Sequence, residues 1–271
     1  MSLPARGPAV RDLGLPLPPA DMPRWQGLRP LKRWRYVGVY GPELQLCVGD
    51  ARIGPVPVRW WALAEPGQPL REGKRGITLS PGAARVADGK VAIEIDLEER
   101  DPVETATAYG RSFAWTGKQA DVPARGVVRL DGRELPVDAR AVVDESAGYH
   151  PRHTEWRWSA GVGRLSDGRP VGWNLVSGIH DSPTASERTV WVDGEPTEVG
   201  PVEFPDGLGE IRFSDGARLH FDAWSERRAD TNLLLVRNSY RQPFGTFSGT
   251  LEHGLDLAAG YGVMEDHDVW W

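Results

Sequence analysis

The stretch KVAIEIDLEER, residues 90–100, decides the fold class because large apolar side chains recur at every second position. One face carries Val91, Ile93, Ile95 and Leu97, and the other carries Glu94, Asp96 and Glu98. Successive side chains of a strand point to opposite faces, so this period of two predicts a strand with one buried and one wet face. Burial on one face only is typical of antiparallel sheets.

Turn signals separate similar segments along the rest of the chain. Six Asp-Gly pairs occur, at residues 88–89, 131–132, 167–168, 193–194, 206–207 and 215–216. This dipeptide is a strong signal of a tight hairpin, because a type I′ turn needs positive φ at both central residues. No segment sustains the 3.6-residue apolar period of a helix. We therefore predict an all-β, antiparallel fold with many hairpins, either a sandwich or a barrel.

Composition limits the classes of function. The chain has 271 residues, of which 26% are charged, and its net charge is -6, so it lacks the basic surface that nucleic-acid binding requires. Cys47 is the single cysteine, which excludes an internal disulfide and favours a reducing compartment. No apolar run suits a signal peptide or a membrane span. We expect a cytoplasmic protein without a transmembrane segment.

The chain divides into an arm and two similar units. Residues 1–24 are rich in Pro and lack periodicity, which predicts an extended N-terminal arm. The segments 126–158 and 245–271 each run from a strand through a Gly turn and a Val-rich strand into an acid/His cluster and a Trp. This similarity predicts a first β unit at 25–140 and a second at 141–271.

The two segments of this repeat are aligned by the acid/His cluster at the end of each. Glu145 is expected to correspond to Glu265, and Trp158 to Trp271. If so, the two units place their acidic residues in related positions.

Several motifs in fixed order resemble the bacterial domain-of-unknown-function family 2804. They are KRWRYVGVYGPELQLCVG (32–49), VDESAGYHPRHTEWRWSAGVG (143–163), GWNLVSGIHD (172–181), ERTVWVDG (187–194) and YRQPFGTFSG…GVMEDHDVWW (240–271). The resemblance implies two lipocalin-like β-barrel or sandwich units packed together. The wider group includes tocopherol cyclases, carotenoid hydratases and proteins that only bind apolar ligands. No catalytic residues come with the resemblance, and Ala185 stands where the family pattern leads us to expect Asn.

Two clusters of titratable residues next to Trp are candidates for acid–base chemistry. We predict catalytic roles for Asp144, Glu145, His150, His153 and Glu155 in the central cluster, and for Glu265 and His267 in the terminal one. A carboxylic acid in an apolar, Trp-lined pocket tends to hold its proton, because desolvation disfavours the charged form. Such an acid can protonate a carbon–carbon double bond, and Trp faces can stabilise the resulting cation.

Two other interpretations of GYHPRHTEWRW, residues 148–158, stay open. His150 and His153 form an H-x-x-H, but Pro151 opposes the helix that would place both rings on one face, and no H-E-x-x-H or Cys pair accompanies them. We predict no metal. The segment also alternates as an ordinary strand, in which its polar residues would pair across strands.

Ligand contacts are predicted from aromatic and polar residues of the same motifs. The candidates are Tyr149, Arg152, Trp156, Trp158, Trp173, Asn174, Arg237 and Arg241. The Trp residues would shape the cavity, Asn174 would project an amide into it, and the Arg residues would bind the polar head of an amphiphile.

These residues predict a site for an apolar or amphiphilic small molecule, with cofactor-free acid–base chemistry of the hydratase, cyclase or isomerase type. Two alternatives remain. A carrier or sensor would release its lipid-like ligand chemically intact. A carbohydrate-binding or carbohydrate-processing sandwich would show an exposed groove lined by Trp and a suitable pair of carboxylates.

Overall fold

A computed structural model describes residues 3–233 and 236–271 of the chain. In the first half, the strands are β1 (Ala5–Arg6), β2 (Trp25–Gln26), β3 (Arg29–Pro30), β4 (Lys32–Tyr40), β5 (Gln45–Ile53), β6 (Val56–Ala64), β7 (Arg71–Gly73), β8 (Ile77–Ser80), β9 (Ala83–Asp88), β10 (Val91–Leu97), β11 (Val103–Tyr109), β12 (Ser112–Leu130) and β13 (Arg133–Gly148). A 3-10 helix spans Gly7–Leu13.

The second half repeats this pattern of strands. It contains β14 (His153–Leu165), β15 (Pro170–Ser177), β16 (Thr189–Val192), β17 (Glu195–Glu198), β18 (Val202–Glu203), β19 (Glu210–Phe213), β20 (Arg218–Arg228), β21 (Thr231–Leu233), β22 (Val236–Leu251) and β23 (Leu255–Trp270). A short 3-10 helix spans Glu252–Gly254.

Two antiparallel sheets, each curled into a half-barrel, form the fold, which confirms the all-β prediction of two packed units. The first sheet has the order β7-β6-β5-β4-β13-β12-β10-β9-β8, with β11 beside β12 and β1 beside β11. The second has the order β17-β16-β15-β14-β23-β22-β20-β19-β18, with β21 beside β22. The orders are the same strand for strand, so β4, β12 and β13 correspond to β14, β22 and β23. The hairpin of β2 and β3 stands apart.

Strand register gives a different alignment of the two halves from the one expected. Tyr36 pairs with Asp144 in the first sheet, and Trp158 pairs with Glu265 in the second. Since Trp34-Arg35-Tyr36 and Trp156-Arg157-Trp158 hold the same place on corresponding strands, Glu265 corresponds to Asp144. The sequence alignment was therefore wrong by one residue for the acid, and it mistook Trp271 for the counterpart of Trp158.

Strand β10 has the predicted amphipathic pattern. Val91, Ile93, Ile95 and Leu97 are buried, while Glu94 and Asp96 are exposed. The four apolar side chains belong to a core inside the first half-barrel, and a second core fills the other half-barrel. A third core, which contains Tyr36, Trp158 and Phe244, lies between the two sheets.

Five of the six Asp-Gly pairs lie between two consecutive strands, and at the sixth Asp88 is the last residue of β9 and Gly89 begins the turn. Only residues 131–132 and 193–194 have positive φ at both positions, which a type I′ turn requires. At the other four pairs the Gly alone has positive φ. Longer connections explain part of this difference, because the loop after β14, for example, runs from Ser166 to Arg169.

The arm of residues 1–24 packs against the first sheet through Val10 and Leu17, which are buried beside Phe113 and Trp115. The chain passes from the first sheet to the second between Gly148 and His153. The unit boundary at residue 140 stays a prediction. None of the helices in the described ranges is long and apolar enough to cross a membrane.

Candidate active site

The central strands of the two sheets face each other and enclose a region that we call the inter-sheet space. Tyr36 of β4 and Trp158 of β14 meet there edge to face, with ring centroids 5.5 Å apart. Residues directly opposite on paired antiparallel strands share a face, so Asp144 and Glu265 both point toward this space. Most side chains around this space are apolar, so charged groups there are unusual.

The Lys118 cluster consists of Lys118, Asp144 and Glu187, all buried. Lys118 on β12 lies opposite Asp144 on β13, and its Nζ forms an ion pair with Asp144 Oδ1. The same Nζ lies 3.4 Å from Oε1 of Glu187, which enters from the chain just before β16 of the other sheet. The cluster therefore joins the two sheets through charge.

Burial and charge oppose each other in this cluster. Burial raises the pKa of Asp144, and the Lys118 ammonium works against that rise. Burial alone would lower the pKa of Lys118, but Asp144 and Glu187 outweigh it and raise the pKa. The two carboxylates thus favour the protonated form of Lys118, and the ammonium in turn favours the ionised form of Asp144.

The His150 cluster consists of four rings, those of Trp34, Tyr109, His150 and His180. The His150 ring stacks on Trp34 at 5.3 Å, and it lies 5.8 Å from Tyr109 and 5.7 Å from His180 between centroids. His180 Nδ1 lies 3.1 Å from Thr107 Oγ1. The nearby Lys118 charge lowers the pKa of both histidines, after the larger effect of burial.

Five buried polar atoms in and beside this cluster have no hydrogen-bond partner among the residues that the structure describes. They are Nδ1 and Nε2 of His150, Nε2 of His180, the Tyr109 hydroxyl and Oε2 of Glu187. Buried polar atoms without partners are uncommon, because each loses its hydrogen bonds to water. Their convergence on one place marks the region where a small molecule or water would restore those bonds.

The Glu265 cluster is the counterpart in the second sheet. Glu265 accepts hydrogen bonds from Trp156 Nε1 at 2.8 Å, the Tyr240 hydroxyl at 2.9 Å and Gln242 Nε2 at 3.0 Å. Burial raises the pKa of Glu265 to about 7, against these donors, and the negative charge of Asp144 adds to the rise. Asp144 and Glu265 are therefore electrostatically linked across the inter-sheet space.

Two further predicted histidines have different environments. His267 packs on Trp156 at 4.1 Å between centroids, and burial lowers its pKa to about 3. His153 is 41% exposed, lies 2.8 Å from Asp268 and stacks on Trp270 at 4.3 Å. In the H-x-x-H, His150 is therefore buried and His153 is exposed. In the described ranges, no group of three or more His, Cys, Asp or Glu could hold a metal ion.

Some predicted catalytic and ligand-binding residues lie at the inter-sheet space. Asp144, His150, Glu265 and His267 lie there, as do Trp156, Trp158 and Asn174. Asn174 accepts from Trp158 Nε1 at 2.7 Å and donates to the Glu187 carbonyl at 3.0 Å. Its amide therefore holds the backbone that delivers Glu187 to Lys118.

Others lie elsewhere. Glu145 points to the opposite face of β13 from Asp144 and pairs with Arg35, while Glu155 is exposed. Trp173 packs on Phe247 in the second half-barrel core.

The remaining ligand-binding candidates are also remote from the cluster rings. Tyr149 donates to the Pro23 carbonyl and so anchors the arm. Arg241 binds Glu226 through two nitrogens. Arg152 and Arg237 are exposed, and Arg237 lines a surface cleft with Trp270 and Asp268.

Sequence reasoning did not select Lys118, Glu187, Tyr109 or Trp34. Glu187 belongs to ERTVWVDG, so the family motif was an available signal. Lys118 carries none, because a lysine in an alternating strand normally faces water.

Solved structures are similar to this chain, and the first described here shares its fold. A putative AttH from Nitrosomonas europaea is similar with a TM-score of 0.55 at 14% identity, over 92% of this chain and 97% of that one. Kievitone hydratase from Nectria haematococca gives 0.48 at 12% identity, over 87% and 88%. CghA gives 0.44 at 12% identity, over 95% of each chain.

Sequence comparison identifies the family. No curated protein matches this chain. The sequence profile described as "Domain of unknown function (DUF2804)" matches residues 68–271, which is most of the chain and includes Lys118, Asp144, His150, Glu187 and Glu265. The chain belongs to the DUF2804 family.

Proposed function

We propose that the inter-sheet space is the active site of an enzyme that transfers protons to and from an unsaturated, largely apolar small molecule without a cofactor. The observation that carries this proposal is the convergence of five unpartnered buried polar atoms on the His150 cluster. A molecule with an apolar body and one or two hydroxyl or carbonyl groups would satisfy those atoms and fill the aromatic surroundings.

His150 is suited to accept or relay a proton. Its pKa lies well below the ordinary value because the ring is buried, and the charges of Lys32, Lys118 and Arg29 act in the same direction. At neutral pH the ring is neutral, with one nitrogen free to accept and the other bearing a proton to donate. Neither nitrogen has a hydrogen-bond partner in the described part of the chain, so the ring is available to a ligand.

Glu265 is suited to supply the proton. Its pKa of about 7, which burial raises, keeps a large fraction of the acid protonated near neutral pH. Protonation of a carbon–carbon double bond leaves a cation, which the face of Trp156 or Trp34 would stabilise. Capture by water gives hydration, capture by an internal hydroxyl gives ring closure, and proton loss gives isomerisation.

Burial also supports this proposal over the carbohydrate alternative. Both Asp144 and Glu265 are only 8% exposed, whereas a glycan needs an open groove along which to bind. The third core, which surrounds them, is aromatic and aliphatic.

The test detects protonation of a carbon–carbon double bond, which is the first step of hydration, ring closure and isomerisation alike. The protein is incubated in D2O with a panel of apolar alkenes and polyenes that carry a hydroxyl or carbonyl group, and products are analysed by mass spectrometry. We expect at least one compound to gain a deuteron or one molecule of D2O, or to gain a ring. The variant His150→Gln should abolish that change, while His153→Gln, a matched change at an exposed histidine, should not.

Two results would contradict the proposal. Equal turnover by wild type and His150→Gln would remove His150 from the chemistry. Tight binding of a compound that is always recovered unchanged and undeuterated would identify a carrier instead of an enzyme.

A further inference from the structure

Exposed large hydrophobic side chains are concentrated at one end of the first sheet. Among the residues that the structure describes, five such side chains stand out, and four of them are Trp25, Leu28, Val56 and Val58, at 57%, 96%, 56% and 46% exposure. We call these four residues the apolar tip. The fifth, Trp270, belongs to the second sheet.

The apolar tip comes from two hairpins that are joined by backbone hydrogen bonds. Trp25 pairs with Pro30 in the β2–β3 hairpin, and the Leu31 amide donates to the Arg24 carbonyl. The Gly54 amide, in the turn between β5 and β6, donates to the Leu31 carbonyl at 2.9 Å. These bonds join the β5–β6 turn to the base of the β2–β3 hairpin, so both hairpins lie at the same end of the protein.

Positive charge accompanies the apolar tip. Arg24, Arg33 and Arg52 are exposed, and none forms an ion pair with any residue in the described ranges. Arg33 and Arg52 lie directly opposite each other on β4 and β5, an arrangement of like charges that costs stability. The chain as a whole carries a net charge of -6, so this end differs in sign from the rest.

These features together fit an anionic lipid surface. Aliphatic and aromatic side chains on projecting turns can enter the boundary between head groups and acyl chains, while flanking arginines bind anionic head groups. An anionic surface would also relieve the repulsion between Arg33 and Arg52. The predominantly negative remainder of the protein would be repelled, which fixes one orientation.

The apolar tip also leads toward the inter-sheet space. Val58 lies opposite Ala51, and Ala51 lies opposite Trp34, so the three side chains share one face of the sheet. Trp34 in turn stacks on His150. A molecule that leaves the acyl region at the apolar tip would therefore meet a row of side chains that ends at the His150 cluster.

We propose that the β2–β3 and β5–β6 hairpin ends dock the protein, end on, on bilayers that contain anionic lipid. The apolar tip enters the bilayer boundary, and Arg24, Arg33 and Arg52 bind the head groups. This docking does not depend on whether the inter-sheet space is catalytic.

The test is flotation of the full chain with vesicles of phosphatidylcholine alone and of phosphatidylcholine mixed with phosphatidylglycerol. We expect binding to the mixed vesicles that weakens as salt rises. Trp25→Ser with Leu28→Ser should weaken it about tenfold or more. Arg24→Gln, Arg33→Gln and Arg52→Gln together should weaken it about a hundredfold.

Matched control variants carry the same kinds of substitution outside the apolar tip. Trp270→Ser alters the fifth exposed side chain, and Arg125→Gln, Arg129→Gln and Arg133→Gln remove the same charge near the β12–β13 turn. Both controls should bind like wild type. Absence of binding to mixed vesicles, or equal losses in the control variants, would overturn the proposal. Loss with the Arg variant but not the Trp25/Leu28 variant would show adsorption by charge alone and would overturn insertion of the apolar tip.

Discussion

The two halves of the protein hold a buried carboxylate at the same place in the same strand order, yet they surround it differently. Asp144 in the first half is paired with the Lys118 ammonium. Glu265 in the second half is hydrogen-bonded by neutral groups, and Gln242 on β22 is the counterpart of Lys118 on β12. An ammonium offsets the cost of burying a charge, whereas an amide does so only in part.

The difference shows how one fold can give two carboxylates with different properties. In the second half, the buried cation Arg227 forms an ion pair with Glu72 and does not bond Glu265. Its guanidinium lies 5.0 Å from the Tyr240 ring centroid and 5.4 Å from that of Trp60. Aromatic faces therefore separate this cation from the acid. The second half can hold a proton near neutral pH, whereas the first half pairs its carboxylate with a cation.

The largest expected effect comes from removing the cation of the first half. Lys118→Met leaves Asp144 and Glu187 buried without their common partner, and should lower the free energy of unfolding by about 3–5 kcal/mol. Gln242→Met removes one of three hydrogen bonds to Glu265 and should cost about 1–3 kcal/mol. Urea denaturation at pH 7 measures both, and equal losses would show that the two halves do not differ in this way.

The control for that experiment removes one of the two carboxylates that Lys118 pairs with. Lys118→Met combined with Asp144→Asn leaves one fewer unpaired charge, so part of the lost stability should return. No recovery would assign the loss to packing of the lysine stem instead of charge.

A pH-dependent effect of intermediate size is expected in the second half. The pKa of Glu265 is raised from 4.5 to about 7 by burial, so folding favours its protonated form. The stability that this contributes is fully present below pH 4.5 and is lost as pH rises to about 7, a change of roughly 3 kcal/mol. The free energy of unfolding is measured across pH 4–8 for wild type and Glu265→Gln. Between the two ends of this range, the difference between the two proteins should change by this amount.

The comparison of wild type with Glu265→Gln is necessary because buried histidines also make stability depend on pH. Burial lowers the pKa of His150, His180 and His267, and their contribution to stability is therefore lost as pH falls below the ordinary value of 6.5. Since both proteins contain these histidines, subtraction isolates Glu265. Parallel curves would mean that Glu265 titrates as if exposed to water.

The smallest expected effects concern a second pair of corresponding residues, Cys47 and Asn174, which lie opposite Gly38 and Ala160 on β4 and β14. Asn174→Ala removes two buried hydrogen bonds and should cost about 2 kcal/mol. Cys47→Ala removes a thiol, a weak hydrogen-bonding group whose contact with Gln242 Oε1 is 3.7 Å long, and should cost less than about 1 kcal/mol. Thermal denaturation of the two variants measures both losses of stability. A larger loss for Cys47→Ala than for Asn174→Ala would contradict this prediction.

The local structure was accessible from the sequence because short-range patterns determine it. The alternation of residues 91–97 gave the strand and its buried face, and the Asp-Gly pairs gave the turns. Asp144, His150 and Glu265 were selected because acids and histidines next to Trp are unusual in an ordinary strand, and their catalytic roles stay predictions. Glu145 was not separable from Asp144, because only the face of the sheet distinguishes adjacent residues.

The assembly of the site was not accessible, because it depends on contacts between distant segments. Lys118, Asp144 and Glu187 come from three strand regions and two sheets, and no local pattern indicates that they meet. The repeat was detected from similar segment order, but its one-residue misalignment could be corrected only by strand register.

The strand order also has a consequence for synthesis on the ribosome. In each half, the first long strand pairs with the last: Val37 pairs with Val143, and Ala160 pairs with Val263. As the chain emerges, β4 must therefore wait with an unpaired edge until β13 has been made, and closure of such distant pairs is slow. The charges of Lys32, Arg33 and Arg35 on β4 would discourage that waiting edge from joining another nascent chain.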